Sequence, residues 1–121
     1  MQDRFRFRVW DKLSKRYFFL ELKFGDNGYH PRFIEKPDFE QCTGLKDKNG
    51  KLIYEGDILY SPLDNGTKKV IFWDNGLARF QAYNGKDKKF TQGIGDAYFI
   101  ELDFEVIGNI HENADLLGED E

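Results

Sequence analysis

Acid–base, nucleophilic and metal chemistry all need side chains that this chain uses sparingly. Its histidines are His30 and His111, and its one cysteine is Cys42. No pair of them has a ligand spacing such as C-x2-C or H-x3-H, so no metal site is expected. A nucleophilic Cys42 would need a histidine brought to it by the fold; the simpler reading is a small residue buried in an apolar-flanked strand. Neither the phosphate-cradling G-x-x-x-x-G-K-[ST] string nor the nucleophile elbow G-x-S-x-G occurs. Gly93-Ile94-Gly95 lacks the third glycine and the following helix of a dinucleotide loop. Glu55 and Asp57 flank Gly56, a spacing that suits a turn, where aspartate accepts a backbone N–H and glycine takes a conformation closed to other residues. Trp10-Asp11 reads the same way: the ring packs and the carboxylate caps a turn. No catalytic set and no cofactor are expected.

Basic and aromatic residues do interleave near the start. Arg4, Arg6, Arg8, Arg16 and Lys23 lie among Tyr17 and Phe19, a candidate surface for nucleic acid or a protein partner. Trp73 and Tyr83 are further candidates for exposed rings. Phe5 and Phe7 are not, because they share the face expected to be buried, and rings facing a core cannot stack on bases.

Strands must position these residues. Arg4 to Val9 alternates strictly, with Phe5, Phe7 and Val9 on one face and three arginines on the other, the pattern of a half-buried strand with a solvated basic face. A polar connection, Asp11 to Lys15, leads to a return strand from Arg16 to Phe24, so residues 4–24 read as a hairpin. Residues 29–39, with Pro31 and Pro37, lack periodicity and read as loop or irregular edge. A short strand is expected over Phe39–Thr43, ended by Gly44, then a tight turn at Asp47-Lys48-Asn49-Gly50. Lys51 to Tyr54 leads into a strand over 56–60, and further strands follow at 68–73 and 77–83. The last two are separated by Asp74-Asn75-Gly76, an Asn-Gly hairpin signal whose two residues accept positive φ. Phe104 to Ile110 is a strand by composition, and Asn113 is placed to N-cap one turn of helix. Strands near ten-residue spacing with tight turns point to a small barrel or sandwich.

A chain of 121 residues is enough for one domain with a real core. The expected layout is a single unit over 1–121, with the 4–24 hairpin as a sub-lobe packed on a barrel-like portion over 40–117. Twelve Phe, six Tyr and two Trp beside 12 Gly favour strands and turns over helices. One cysteine allows no internal disulfide, which makes a reducing compartment, the cytoplasm, the expected location. No apolar run approaches a membrane span, and the N-terminus lacks the apolar core of a signal peptide. The net charge of −4 argues against a protein that coats nucleic acid, yet it hides a polarity. Residues 1–24 carry seven basic and three acidic side chains, whereas residues 96–121 carry nine acidic and none basic. These opposite fields are expected to pair within the fold or between subunits.

Four segments together resemble one family. Phe5-Arg6-Phe7-Arg8-Val9-Trp10-Asp11-Lys12 opens the chain, and Thr43-Gly44-Leu45-Lys46-Asp47-Lys48-Asn49-Gly50 runs on into Ile53-Tyr54-Glu55-Gly56-Asp57-Ile58. Glu105-Val106-Ile107-Gly108-Asn109-Ile110-His111-Glu112-Asn113 closes it, followed by Leu116-Leu117. In order and wording these blocks resemble the YopX family of phage and prophage proteins, over nearly the whole chain. The resemblance implies an all-β fold with a minor helix, an SH3-like small barrel carrying an N-terminal β-hairpin and irregular extensions. It implies no established activity. The matching residues, Trp10, Asp11, Thr43, Gly44, Asp47, Asn49, Gly50, Tyr54, Glu55, Gly56, Asp57, Gly108, Asn109 and Asn113, are expected to be mainly structural.

The function expected is therefore that of a non-catalytic phage accessory protein in the bacterial cytoplasm, which binds itself or a phage or host protein. The alternative is a nucleic-acid-binding small barrel that uses the N-terminal arginine stripe. No membrane partner is expected.

Overall fold

Alternation at the start of the chain becomes a ladder. In the computed structural model, which describes residues 6–21, 39–64, 66–85, 91–95 and 101–118, β1 (Arg6–Asp11) runs antiparallel to β2 (Arg16–Glu21) in unbroken register from Arg6 opposite Glu21 to Asp11 opposite Arg16. The other side of β1 pairs with β3 (Phe39–Lys46), and β3 pairs with the short β4 (Leu52–Tyr54). A second sheet holds β5 (Asp57–Tyr60), β6 (Lys68–Asp74), β7 (Arg79–Asn84), β8 (Thr91–Gly93) and β9 (Glu105–Asn109). The strand orders are β2-β1-β3-β4 and β8-β7-β6-β5-β9, and every pairing is antiparallel. One short helix, α1 (Asp115–Gly118), and a 3-10 turn at Pro62–Asp64 complete the described elements. The fold is all-β as expected, two antiparallel sheets of which one is a half-barrel. No described helix is long and apolar enough to cross a membrane.

The apolar core gathers Ile53 from β4, Leu59 from β5, Ile71 from β6 and Ala82 from β7, closed by Ile94 and Phe104. Leu45 of β3 packs against this cluster, so β3 and β4 share the core of the five-stranded sheet. The N-terminal hairpin is continuous with that arrangement through its ladder to β3.

Four local expectations need correction. The Asn75-Gly76 pair does not form a two-residue turn: β6 and β7 are joined by four residues, and positive φ falls on Ala78 (φ 53°). Asp74 explains this, because its Oδ1 accepts the N–H groups of Gly76 and Leu77 and fixes an Asx-type turn ahead of the left-handed residue. Gly44 does not end its strand; at φ 86° it sits inside β3, where the register to β4 shifts between Cys42 and Lys46, as a bulge requires. Asn113 does not cap α1 with its side chain, since its Oδ1 accepts the N–H of Asn109. β8 was not expected at all, and only three residues mark it. The expectations for Arg4, for the strand beyond Glu21 and for the loop before Phe39 fall outside the described residues.

Candidate functional site

Period two placed Arg8 on a solvated face, and the structure places it in a buried one. β1 pairs with a strand on each side, and its arginine face is roofed by the start of β5 and the exit of β9. Arg8 is 5% exposed. Its Nε donates to Glu40 Oε1 at 2.7 Å, and its Nη2 donates to Asp57 Oδ1 at 2.8 Å and to the Glu55 carbonyl at 2.9 Å. The guanidinium lies between the rings of Tyr17 and Tyr54, 4.1 and 4.8 Å from their centroids. A buried cation with two carboxylates, a carbonyl and two ring faces is fully compensated.

Glu40 is the hub that sequence reading missed. Besides Arg8, its Oε1 accepts the Tyr17 hydroxyl at 2.9 Å, and its Oε2 meets His111 Nε2 at 2.9 Å. The His111 ring stacks on Trp10 at 4.9 Å and 5° between planes, and Trp10 meets Tyr17 edge to face. The signal available was phase: in β3, Glu40 alternates with Cys42, which is fully buried. A charge in step with core positions needs a buried partner of opposite sign.

The Tyr54-Glu55-Gly56-Asp57 turn docks here by its backbone as well. Glu55 N–H donates to the Gln41 carbonyl, Gly56 N–H to the Ile71 carbonyl, and Ile110 N–H to the Gly56 carbonyl. One turn thus ties β3, β6 and the end of β9 together. Gly56 takes φ +83°, and a methyl group there would stand 2.9 Å from Glu40 Oε2. Asp57 Oδ2 accepts the Tyr54 N–H, and Glu55 Oε1 accepts the Gln41 N–H. Burial pushes the Asp57 and Glu55 carboxyls above their ordinary values, against the pull of Arg8 and these N–H groups. Burial also raises the Tyr17 hydroxyl. Arg8 is raised: burial opposes its charge, but Asp57, Tyr17 and Glu40 outweigh it.

The other family-block residues are also occupied locally. Asp47 accepts from Asn49, Lys51 and Val106 N–H groups, joining the Asn49-Gly50 turn to β9. Gly50 closes that turn at φ 84°. Thr43 Oγ1 donates to the Ile53 carbonyl and accepts the Leu45 N–H, spanning the Gly44 bulge. Asn109 Oδ1 accepts the His111 and Glu112 N–H groups, and Asn113 packs where a side chain at Gly108 would stand. Asp11 caps the first hairpin through the Leu13 N–H and the Ser14 hydroxyl, as expected.

Among the described residues the basic and aromatic candidates do not assemble into one surface. Arg6 and Phe19 are exposed, Phe19 at 64%, on the same face as Arg8. Arg16 is exposed on the opposite face, stacked over Phe18 at 5.0 Å. Tyr17 is committed to Glu40, and Arg8 is buried. Arg4 and Lys23 lie outside the described residues. Among the described residues no cluster of three or more His, Cys, Asp or Glu side chains is arranged as metal ligands. Two grooves remain. One of about 410 Å³ adjoins the network between Arg8, Phe19, Tyr54 and Asn109; the other, about 540 Å³, opens between Leu45, Trp73, Phe80 and Ile94.

A family model described as YopX protein matches residues 6–118. No curated protein matches the chain. Among solved structures, the crystal structure of protein EF1440 from Enterococcus faecalis is similar, with a TM-score of 0.53 and 26% identity, covering 93% of this chain and 96% of that one.

Proposed function

The chain belongs to the YopX family, and on that footing we propose that it is a non-catalytic accessory protein of a phage or prophage, which acts in the bacterial cytoplasm by binding another protein or a second copy of itself. The observation that carries this reading is the saturation of the carboxylates in the Arg8–Glu40–His111 network. Both Glu40 oxygens and both Asp57 oxygens take hydrogen bonds within the fold, which supports reading this cluster as one that holds shape. Meanwhile large apolar side chains stay at the surface, Phe19 and Phe39 among them. Buried ionic networks hold shape, and exposed rings meet partners.

The nucleic-acid alternative loses support from the same geometry, because Arg8 is spent and Arg6 and Arg16 stand on opposite faces. Light scattering on the purified chain at about 50 and 500 mM salt, with cross-linking capture from infected and uninfected host cells, tests the proposal. Self-association or a reproducible protein partner is the expected result. A strict monomer at both ionic strengths, with no captured protein, would overturn it. Salt-sensitive binding of single-stranded oligonucleotides by the same preparation would move the reading to the alternative.

A further inference from the structure

The charge of Arg8 is spent on Glu40 and Asp57, but its hydrogen-bonding capacity is not. A guanidinium carries five N–H groups, and Nε and Nη2 use three of them, on Glu40, the Glu55 carbonyl and Asp57. Nη1, at the other end of the plane, makes no hydrogen bond with a described residue. Nor is it sealed from solvent, although Arg8 as a whole is 5% exposed. The groove of about 410 Å³ is where it opens, since Arg8 forms part of that wall with residues of β2, β4, β5 and β9. A nearly buried donor pair facing a groove of this size calls for an acceptor from outside.

The surrounding charges decide the kind of acceptor. Glu40 and Asp57 both pair with Arg8, and the other charges on the groove wall, Lys51 and Glu112, cancel. One negative charge is left in excess, so a carboxylate or phosphate would enter an unfavourable field. A neutral carbonyl oxygen would not, and Nη2 already holds one, from Glu55. The same wall carries the Phe19 ring, 64% exposed, which meets Tyr54 edge to face at 6.0 Å. A ligand that fills the groove therefore needs an apolar body beside its carbonyl. We propose that this groove docks a neutral peptide carbonyl next to an aromatic side chain, as a segment of a partner protein presents them, with Arg8 Nη1 as the donor and Phe19 as the apolar wall. This rests on the protein-binding reading above and names the group that is recognised.

NMR of the arginine side chains in the full chain tests this, with N-acetyl-phenylalaninamide as the probe. The probe should move the Arg8 Nη1 signals and show cross-relaxation with the Phe19 ring. Phenylethanol, which has the ring without the carbonyl, should bind at least about fivefold more weakly, the worth of one hydrogen bond. Acetate and inorganic phosphate should bind more weakly than the probe as well. Phe19→Ala, at an exposed position, should weaken the probe at least about fivefold with unchanged circular dichroism. Arg8 signals that no probe moves overturn the proposal, whether the groove stays dry or the chain fills it itself. A stronger response to acetate or phosphate overturns it in favour of an anion site, and equal binding of phenylethanol removes Nη1 from it. A captured protein partner that Phe19→Ala still holds would sink this inference and leave the protein-binding reading standing. Probe binding by a chain that stays monomeric and captures no protein would uphold the site and sink that reading.

Discussion

Arg8 shows how one side chain can decide what a strand face is for. Alternation assigned it to solvent, because periodicity reports which residues share a face and not whether that face is covered. What covers it comes from 32 and 49 residues away, Glu40 and Asp57, a distance no local pattern spans. Arg8→Met should therefore cost about 3–5 kcal/mol in urea unfolding, since it leaves two carboxylates buried without their cation. Glu40→Gln, which keeps the shape and the acceptor for Arg8, should cost clearly less. Asp47 was legible, because a turn sequence demands its residue type, and its protonation gives a second expectation. Burial opposes its charge, but the N–H groups of Val106, Lys51 and Asn49 win and hold its carboxyl below the ordinary value. A depressed folded value contributes stability that is complete above the unfolded value, near 3.8, and is lost as pH falls through the folded one. The stability gap between the parent and Asp47→Asn should accordingly be widest near neutrality and narrow below about pH 4. A gap that is constant from neutrality to pH 3 would mean the three hydrogen bonds do not favour the ionised form.

Elements were read more faithfully than the turns between them. Strand composition located most of the described strands; β4 was read only as the lead into β5, and β8 escaped because three residues carry too little pattern. Asn-Gly punctuation marked the right place between β6 and β7 but the wrong turn, since the preceding aspartate captured the turn amides. The first hairpin repeats this solution. Trp10-Asp11 and Arg16-Tyr17 bracket four residues, as Trp73-Asp74 and Arg79-Phe80 do, and the left-handed residue is the fourth in each, Lys15 and Ala78. Each tryptophan also meets the aromatic opposite it edge to face at 5.0 Å. The echo was present in the sequence as Trp-Asp-x4-Arg-aromatic. A left-handed residue with a side chain is strained, so Ala78→Gly and Lys15→Gly should each raise stability by about 0.5–1 kcal/mol after glycine's extra unfolded entropy is counted. Thermal melts that fall in both variants would show that the entropy outweighs the strain.

At the scale of the molecule, the described contacts of the N-terminal strand reach both the middle of the chain and its C-terminal segment. Arg8 takes its acids from the middle of the chain, while the C-terminal segment reaches the N-terminal strand through the His111 ring on Trp10. That junction is one of the places where the two sheets meet, beside the core that β3 and β4 share with the five-stranded sheet. The main apolar cluster draws on β4 to β7 and on Ile94, Leu102 and Phe104, but on no residue of β1 or β2. Among the described residues the N-terminal hairpin is fastened by its ladder to β3 and by the Arg8, Tyr17 and Trp10 contacts. The tryptophans report each part separately, since Trp10 lies in the four-stranded sheet and Trp73 in the five-stranded one. With Trp73→Phe and Trp10→Phe as single-tryptophan backgrounds, the two urea transitions should coincide while the network is intact. Adding Arg8→Met to each should lower the Trp10 midpoint further than the Trp73 midpoint, because the hairpin loses its polar fastening and the core cluster keeps its apolar one. Equal falls at both probes would mean instead that the ionic junction supports the whole molecule as one cooperative unit.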